Sequence, residues 1–210
     1  MNAATEALAA EAARLIADGG LDYASAKAKA MRALGAKRAE IPRDEAVEDA
    51  LREHIALFCG DAQPQELKLL RQVAGRWMER LAHHRPHLGG AVWRGTATQH
   101  SAVHIDLYVD DAKAMPIELL NQGLSFDVDA AGRRGDVTVL TVYDSVAGFQ
   151  APVPVHLFVN DADAVRGSLK PDSRGRTWRG ALPALRLLLQ AGASSAAGPA
   201  GASPASGAEP

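Results

Sequence analysis

The residues best suited to chemistry in this 210-residue sequence lie between Leu88 and Asp111, LGGAVWRGTATQHSAVHIDLYVDD. His104 and Asp106 stand two apart in an alternating run. Side chains at i and i+2 of a strand point to one face about 7 Å apart, so both can reach one bound ion or phosphate. Gly89-Gly90 and Gly95-Thr96 allow backbone N–H groups to approach an anion closely. Arg94 brings a planar guanidinium suited to a charge-assisted, bidentate phosphate contact. The pattern therefore suits capture of an ion or a phosphate group.

The elements around this segment must hold it in place. Val103, Ile105, Leu107 and Val109 alternate with His104, Asp106 and Tyr108, which predicts a half-buried strand. A helix over Gln65 to Ala82, with a seam of Leu67, Leu70, Ala74, Trp77 and Leu81, precedes it and runs out at HHRPH, because Pro86 disfavours helix at Arg85. Gly89-Gly90 is expected to end a short strand and open a polar turn. Downstream, a helix from Ala112 to Asn121 stops at Gly123. Strands follow near Leu124–Val128, Val137–Val142 and Val153–Val159, and a last helix covers about Leu182 to Gln190. Ahead of the segment, Leu8, Ala12, Leu15 and Ile16 mark a first helix stopped by Gly19-Gly20, and Asp22 or Ser25 caps a second that reaches Leu34-Gly35. Val47, Leu51, Ile55 and Phe58 mark a third. Helices followed by mixed strands and helices read as α+β: a helical N-terminal region over 1–62 and a small mixed-sheet domain over 63–190. Residues 191–210 contain only Ala, Gly, Ser and Pro apart from Glu209, too little bulk to offset the entropy of ordering.

Composition narrows the classes. With 23 Lys+Arg against 25 Asp+Glu, nothing favours coating of nucleic acid or an acidic membrane. The one cysteine, Cys59, forms no internal disulfide and suits a reducing compartment. The first twenty residues carry Glu6 and Glu11 and no basic leader region, and no apolar run approaches the roughly 20 residues needed to span a bilayer. The expected location is cytoplasmic.

The segment resembles the signature of the nucleotidyltransferase fold of the DNA polymerase β superfamily. That signature is a glycine pair after a helix and short strand, commonly an Arg-Gly, then a strand reading acid-hydrophobic-acid. Gly89-Gly90 takes the place of the pair, Arg94-Gly95-Thr96 that of the turn, and Ser101 that of a serine ahead of the acids. His104-Ile105-Asp106-Leu107 takes the place of the acid strand, with thirteen residues between Gly90 and His104. The resemblance covers about 65 to 160. It implies a nucleotidyltransferase-like domain, transfer of a nucleoside monophosphate if active, and two divalent cations, Mg²⁺ or Mn²⁺, held by three acids. It assigns nucleotide binding to Gly89, Gly90, Arg94, Gly95, Thr96 and Ser101.

The departures are as informative as the match. His104 stands where the first acid belongs, and the later-strand position within VPVHLFV falls on His156. Only Asp106 remains, and imidazole is a poor ligand for Mg²⁺. Several readings stay open: a hydrogen-bonded polar sheet face without chemistry; a degenerate site that still binds a nucleotide or phosphorylated ligand; and His104, Asp106 and His156 as ligands for Zn²⁺, Mn²⁺ or Fe²⁺. In an active version, His104 and Asp106 are the catalytic residues and further carboxylates come from Asp110, Asp127 or Asp136. The alternative from another class is a regulatory protein on the same fold that binds a protein partner through its N-terminal helices.

Three other features stand out. The basic stretch Lys170–Gly180 carries a stacking-capable Trp178 and is expected to lie against acidic strand ends at Asp110 and Asp111. Trp-Arg-Gly occurs twice, at 93–95 and 178–180. His83, His84 and His87 cluster at a helix C-terminus, where protonated imidazoles complement the dipole and neutral ones can ligate a metal. The stretches LREHIALFCGD, RPHLGGAVWRGTAT and LKPDSRGRTWRG also resemble a small family of betaproteobacterial proteins, some labelled UDP-N-acetylmuramate–alanine ligase. That activity needs a P-loop ending in Gly-Lys-Ser/Thr and three domains, and this sequence has no Gly-Lys dipeptide.

Overall fold

The structure, a computed structural model, describes residues 2–36, 41–129, 137–165 and 175–196, with side chains as far as 191. Of the sequence expectations, Asp136, the first half of the basic stretch (170–174) and residues 197–210 lie outside the described residues.

The N-terminal region forms three helices: α1 (Ala3–Gly19), α2 (Tyr23–Leu34) and α3 (Asp44–Phe58). Asn2 caps α1 by accepting from the Thr5 N–H, and Asp22 caps α2 by accepting from Ala24 and Ser25 N–H. The left-handed Gly20 and Gly35 end the two helices. Small residues let these helices approach closely: Ala9, Ala12, Ala13, Ala17, Ala26 and Ala30 are buried with Leu8, Ile16, Val47 and Leu51 in one core. The apolar face expected to run to Phe58 stops short. Phe58 is 73 % exposed and its neighbour Leu57 75 %, because nothing packs beyond the last turn of α3 among the described residues.

The second core belongs to an α+β unit. Helix α4 (Ala62–Arg80) buries Leu70, Val73, Ala74, Trp77 and Met78 against one face of a six-stranded mixed sheet. A short 3₁₀ turn, Ala82–His84, follows, and Arg85 takes a positive φ just before Pro86. Strands β1 (His87–Gly89), β2 (Val103–Val109), β3 (Asp127–Asp129), β4 (Thr138–Asp144), β5 (Val153–Asp161) and β6 (Gly180–Ala181) stand in the order β3-β4-β5-β2-β1-β6. Between β1 and β2 lies a five-residue helix, α5 (Gly90–Arg94), rather than a polar turn. Helix α6 (Ala114–Asn121) adds Met115 and Leu119 to the core. The last helix, α7 (Leu182–Ala196), packs beside α4 and runs past the expected end at Gln190. No helix among the described residues is long and apolar enough to cross a membrane.

The central pairing is parallel, with β2 beside β5, while β1, β4 and β6 join antiparallel. Val103, Ile105 and Leu107 face the helices; His104, Asp106 and Tyr108 face the other way, beside His156, Phe158 and Asn160 of β5. The helix, short strand, glycine pair and His104–Asp106 strand thus follow one another in the order that the resemblance implied. The strand is not half-buried, however. Asp106 and Tyr108 are 7 % and 2 % exposed, so both faces are covered.

Candidate functional site

On the His104–Asp106 face, β1 lays Gly89 directly opposite His104, and β5 lays His156 on its other side. The two imidazoles sit with ring centroids 5.3 Å apart, and His104 also meets Phe158 edge-on at 5.5 Å. Gly90 has φ +66°, and a Cβ there would lie 3.1 Å from His104 Nδ1, so the backbone approaches the ring as closely as glycine permits. His156 Nδ1 shares a 2.8 Å hydrogen bond with Thr141 Oγ1.

Asp106 is not open to a metal pair. Arg179 donates through Nε to Oδ2 at 2.5 Å and through Nη2 to Oδ1 at 3.3 Å, a two-pronged ion pair, and Asn160 Nδ2 adds a 3.4 Å contact to Oδ1. Burial opposes the charge on Arg179, but the hydrogen bond and charge of Asp106 outweigh it and hold the guanidinium above its ordinary pKa. The donor set therefore offers one carboxylate, already neutralised, and two histidines. It does not fit two Mg²⁺ or Mn²⁺ ions. Nor do His104, Asp106 and His156 bring their donor atoms into one ligating group; among the described residues that arrangement occurs elsewhere, at His83, His84 and Glu118. Of the alternative acids, Asp110 is fully exposed, 3.9 Å from Arg85. Asp127 accepts a hydrogen bond from the Tyr143 hydroxyl on the outer strand.

The other expected ligand residues separate from this face. Arg94, at the end of α5, turns toward the N-terminal helices and meets Glu48 of α3 at 3.6 Å. Its guanidinium lies over the rings of Tyr23, at 4.5 Å, and Trp178, at 5.1 Å. Arg52 reaches Glu48 at 2.6 Å and Arg176 reaches it at 3.4 Å. Glu48 is 1 % exposed, so three guanidiniums share one buried carboxylate. Together with Trp93 and Trp178 they line a cleft of about 380 Å³. Arg94 Nε is buried with no hydrogen-bond partner among the described residues. Gly95 ends α5 with a positive φ, and its carbonyl accepts from Gln63. Thr96 is buried behind it, and Ser101 accepts from the Thr98 N–H, shaping a turn. Thr96 Oγ1 has no hydrogen-bond partner among the described residues, and none of these three lines the cleft.

The described part of the basic stretch, Gly175 to Gly180, lies against Glu48 and Asp106, not against Asp110 and Asp111. The repeated Trp-Arg-Gly proves to be one interlocked unit. Trp93 covers Gly180, where any Cβ would strike its ring, and donates from Nε1 to the Thr177 carbonyl at 2.9 Å. Arg94 lies over Trp178, and Arg179 reaches Asp106. Glu48, Arg52 and the role of Arg179 were missed in the sequence. Glu48 had a readable signal: with Leu51 and Ile55 it follows the i, i+3, i+7 spacing of a buried stripe.

The Tyr23 hydroxyl is buried without a partner among the described residues. Burial, opposed by the charge of Arg94 and reinforced by that of Glu48, pushes the phenol up to about 12. Below pH 10 both folded and unfolded chains hold this proton. Between about 10 and 12 the unfolded chain loses it first, so stability falls by about 1.4 kcal/mol per pH unit. Tyr23→Phe is expected to remove that slope and to leave neutral-pH stability unchanged or raised. Urea unfolding of both proteins from pH 9 to 12 checks it, and parallel slopes would refute it.

No family model and no curated protein matches the chain. Among solved structures, Cid1 in complex with its short product ApU is 17 % identical over 52 % of this chain and 34 % of its own, with a TM-score of 0.34. Cid1 in complex with the UTP analog UMPNPP is 14 % identical over 60 % of this chain and 40 % of its own, with a TM-score of 0.36. The chain thus spans 34 % to 40 % of the length of the Cid1 chains it aligns with.

Proposed function

We propose that this chain is a nucleotidyltransferase-like protein that binds a nucleotide or another phosphorylated small molecule and has lost nucleotidyl transfer. The observation that carries the reading is the cleft where Arg52, Arg94 and Arg176 surround one carboxylate between two tryptophans. Guanidiniums in a partly buried cleft suit phosphate oxygens, and the indoles offer a face to a planar base. A volume of about 380 Å³ is within the range of small-ligand sites. The other face supports the loss of transfer. There Arg179 occupies the carboxylate that a metal would need, and His104 and His156 replace the remaining acids. Arg179 and Asp106 hold the Gly175–Trp178 loop in place, and this in turn sets the wall of the cleft.

A thermal-shift series with nucleoside triphosphates, pyrophosphate and inorganic phosphate tests this, using wild type and Arg52→Gln. Arg52 is 45 % exposed, and Arg94 and Arg176 still face Glu48 once it is lost, so circular dichroism of the variant is expected to match wild type. A nucleotide at about 100 times its Kd stabilises by about 2.7 kcal/mol, which raises the midpoint by several degrees. Arg52→Gln is expected to weaken binding about tenfold, the loss of one charge-assisted hydrogen bond. No shift with any of these anions at millimolar concentration would overturn the ligand; incorporation of nucleotide with Mg²⁺ or Mn²⁺ would overturn the loss of transfer.

A further inference from the structure

Away from the cleft and the His104–Asp106 face, a third group of side chains converges. His83 and His84 lie in the 3₁₀ turn after α4, and Glu118 lies on α6. His83 Nε2 is 2.8 Å from one carboxylate oxygen of Glu118, and His84 Nε2 is 2.8 Å from the other. The imidazole centroids are 3.9 Å apart and tilted by 48°. Adjacent residues on a regular helix point about 100° apart, so two neighbouring rings aimed at one group require the tighter turn that ends here, before the left-handed Arg85. The three donor atoms all lie within 4.8 Å of one another, and no other group of three or more among the described residues does so.

We propose that His83, His84 and Glu118 form a binding site for a Zn²⁺-class divalent transition metal, with the fourth position open to water. Two imidazoles and a carboxylate are the donor types that such ions take, at about 2.0–2.2 Å each, and which Mg²⁺ and Ca²⁺ do not favour. Tetrahedral donors at that distance stand roughly 3.3 Å from one another. The two 2.8 Å contacts, to different oxygens of Glu118, need to open by about half an ångström, and the widest donor separation, within 4.8 Å, needs to close toward that spacing; His83 is 57 % exposed, free to make that adjustment. Gln122 Nε2 donates to Glu118 Oε1 at 3.1 Å and is itself held by Arg80, so the carboxylate is oriented by an outer layer of hydrogen bonds. The Nε2 atoms are the ligating ones. Metal binding moves each Nε2 proton to Nδ1, or releases it when the ring starts out protonated.

The position gives the metal a role. Residues 84 and 118 bracket β1, α5 and β2, so one ion closes the stretch of chain that carries Gly89, Gly90, Arg94, His104 and Asp106. It acts as a clip that ties the end of α4 to α6. The proposal does not depend on what the cleft binds.

Titration of the full chain with Zn²⁺ by calorimetry, and with Co²⁺ by visible absorption, tests it. The expected result is one equivalent per chain with a micromolar or tighter Kd, Co²⁺ bands typical of four-coordination, and a midpoint raised by several degrees at saturation. His83→Ala and Glu118→Gln, both on exposed or half-exposed side chains, are each expected to weaken binding at least about tenfold while circular dichroism stays unchanged. Absence of stoichiometric binding would overturn the site. So would binding that survives both substitutions, or that is lost instead in His104→Ala.

Discussion

Glu48→Ala will cost the protein about 3 kcal/mol of stability and make that stability respond to phosphate. The carboxylate is almost wholly buried and faces Arg52, Arg94 and Arg176 at 2.6, 3.6 and 3.4 Å. Removing one partner of a buried ion pair typically costs about 3–5 kcal/mol, because the remaining charge is left uncompensated. Here the lower end applies. Arg52 and Arg176 are 45 % and 35 % exposed and can turn to water, whereas Arg94, pressed between Tyr23 and Trp178, cannot. Glu48→Gln keeps the shape and an acceptor and is expected to lose about half as much. Urea denaturation with and without added phosphate at matched ionic strength provides the measurement. The alanine variant should regain stability with phosphate more steeply than wild type. A loss below 0.5 kcal/mol, or no difference in phosphate response, would show that the carboxylate is not what balances the three arginines.

Gly20→Ala is the second large effect, at about 3–4 kcal/mol. Gly20 ends α1 in the left-handed region, which by itself costs a residue with a Cβ about 1 kcal/mol. The remainder is steric. A Cβ at Gly20 would run into the carbonyl oxygen of His100, a backbone atom that no rotamer change can move aside. Gly35 is the internal control. It ends α2 at nearly the same φ, and no atom of the described residues lies within 4 Å of its would-be Cβ, so Gly35→Ala should cost only about 1 kcal/mol. The difference between the two measures how tightly the N-terminal helices sit on the loop before β2. Equal losses would mean that this contact yields readily.

Local chemistry made most of the elements legible. Gly19-Gly20, Asp22, Gly35 and the alternation of Val103 to Val109 are signals carried within a few residues, and each marks the element that it should. The glycine pair also located the turn between β1 and β2, although α5 replaced the expected polar loop. Side-chain partnerships were less visible, because they join residues far apart in sequence. The sequence pattern predicts Arg94 as a phosphate ligand beside Gly90, but at the end of α5 it projects the other way, toward Glu48, 46 residues earlier in the chain. The resemblance implies Asp106 as a metal ligand, whereas its partner, Arg179, lies 73 residues later. The alternating pattern predicted an open polar face, and the cover over Asp106 and Tyr108 comes from Arg179 and the His87 ring, which no periodicity reports. The second Trp-Arg-Gly carries no meaning in its local sequence. Its meaning lies in the contact between the two copies.

The strand order has a consequence for how this protein behaves in concentrated solution. A sheet invites further strands onto its rims, where N–H and C=O groups lack partners, and long apolar rims seed fibres. Here the seven- and nine-residue strands β2, β4 and β5 are enclosed. One rim is β6, two residues long, and the other is β3, three residues long, where Asp127 and Asp129 flank the exposed Val128. Among the described residues, neither offers a stranger's chain enough backbone to grip, and like charges meet across any pairing of two β3 rims. Over those residues the sheet resists stacking rim to rim with its own copies.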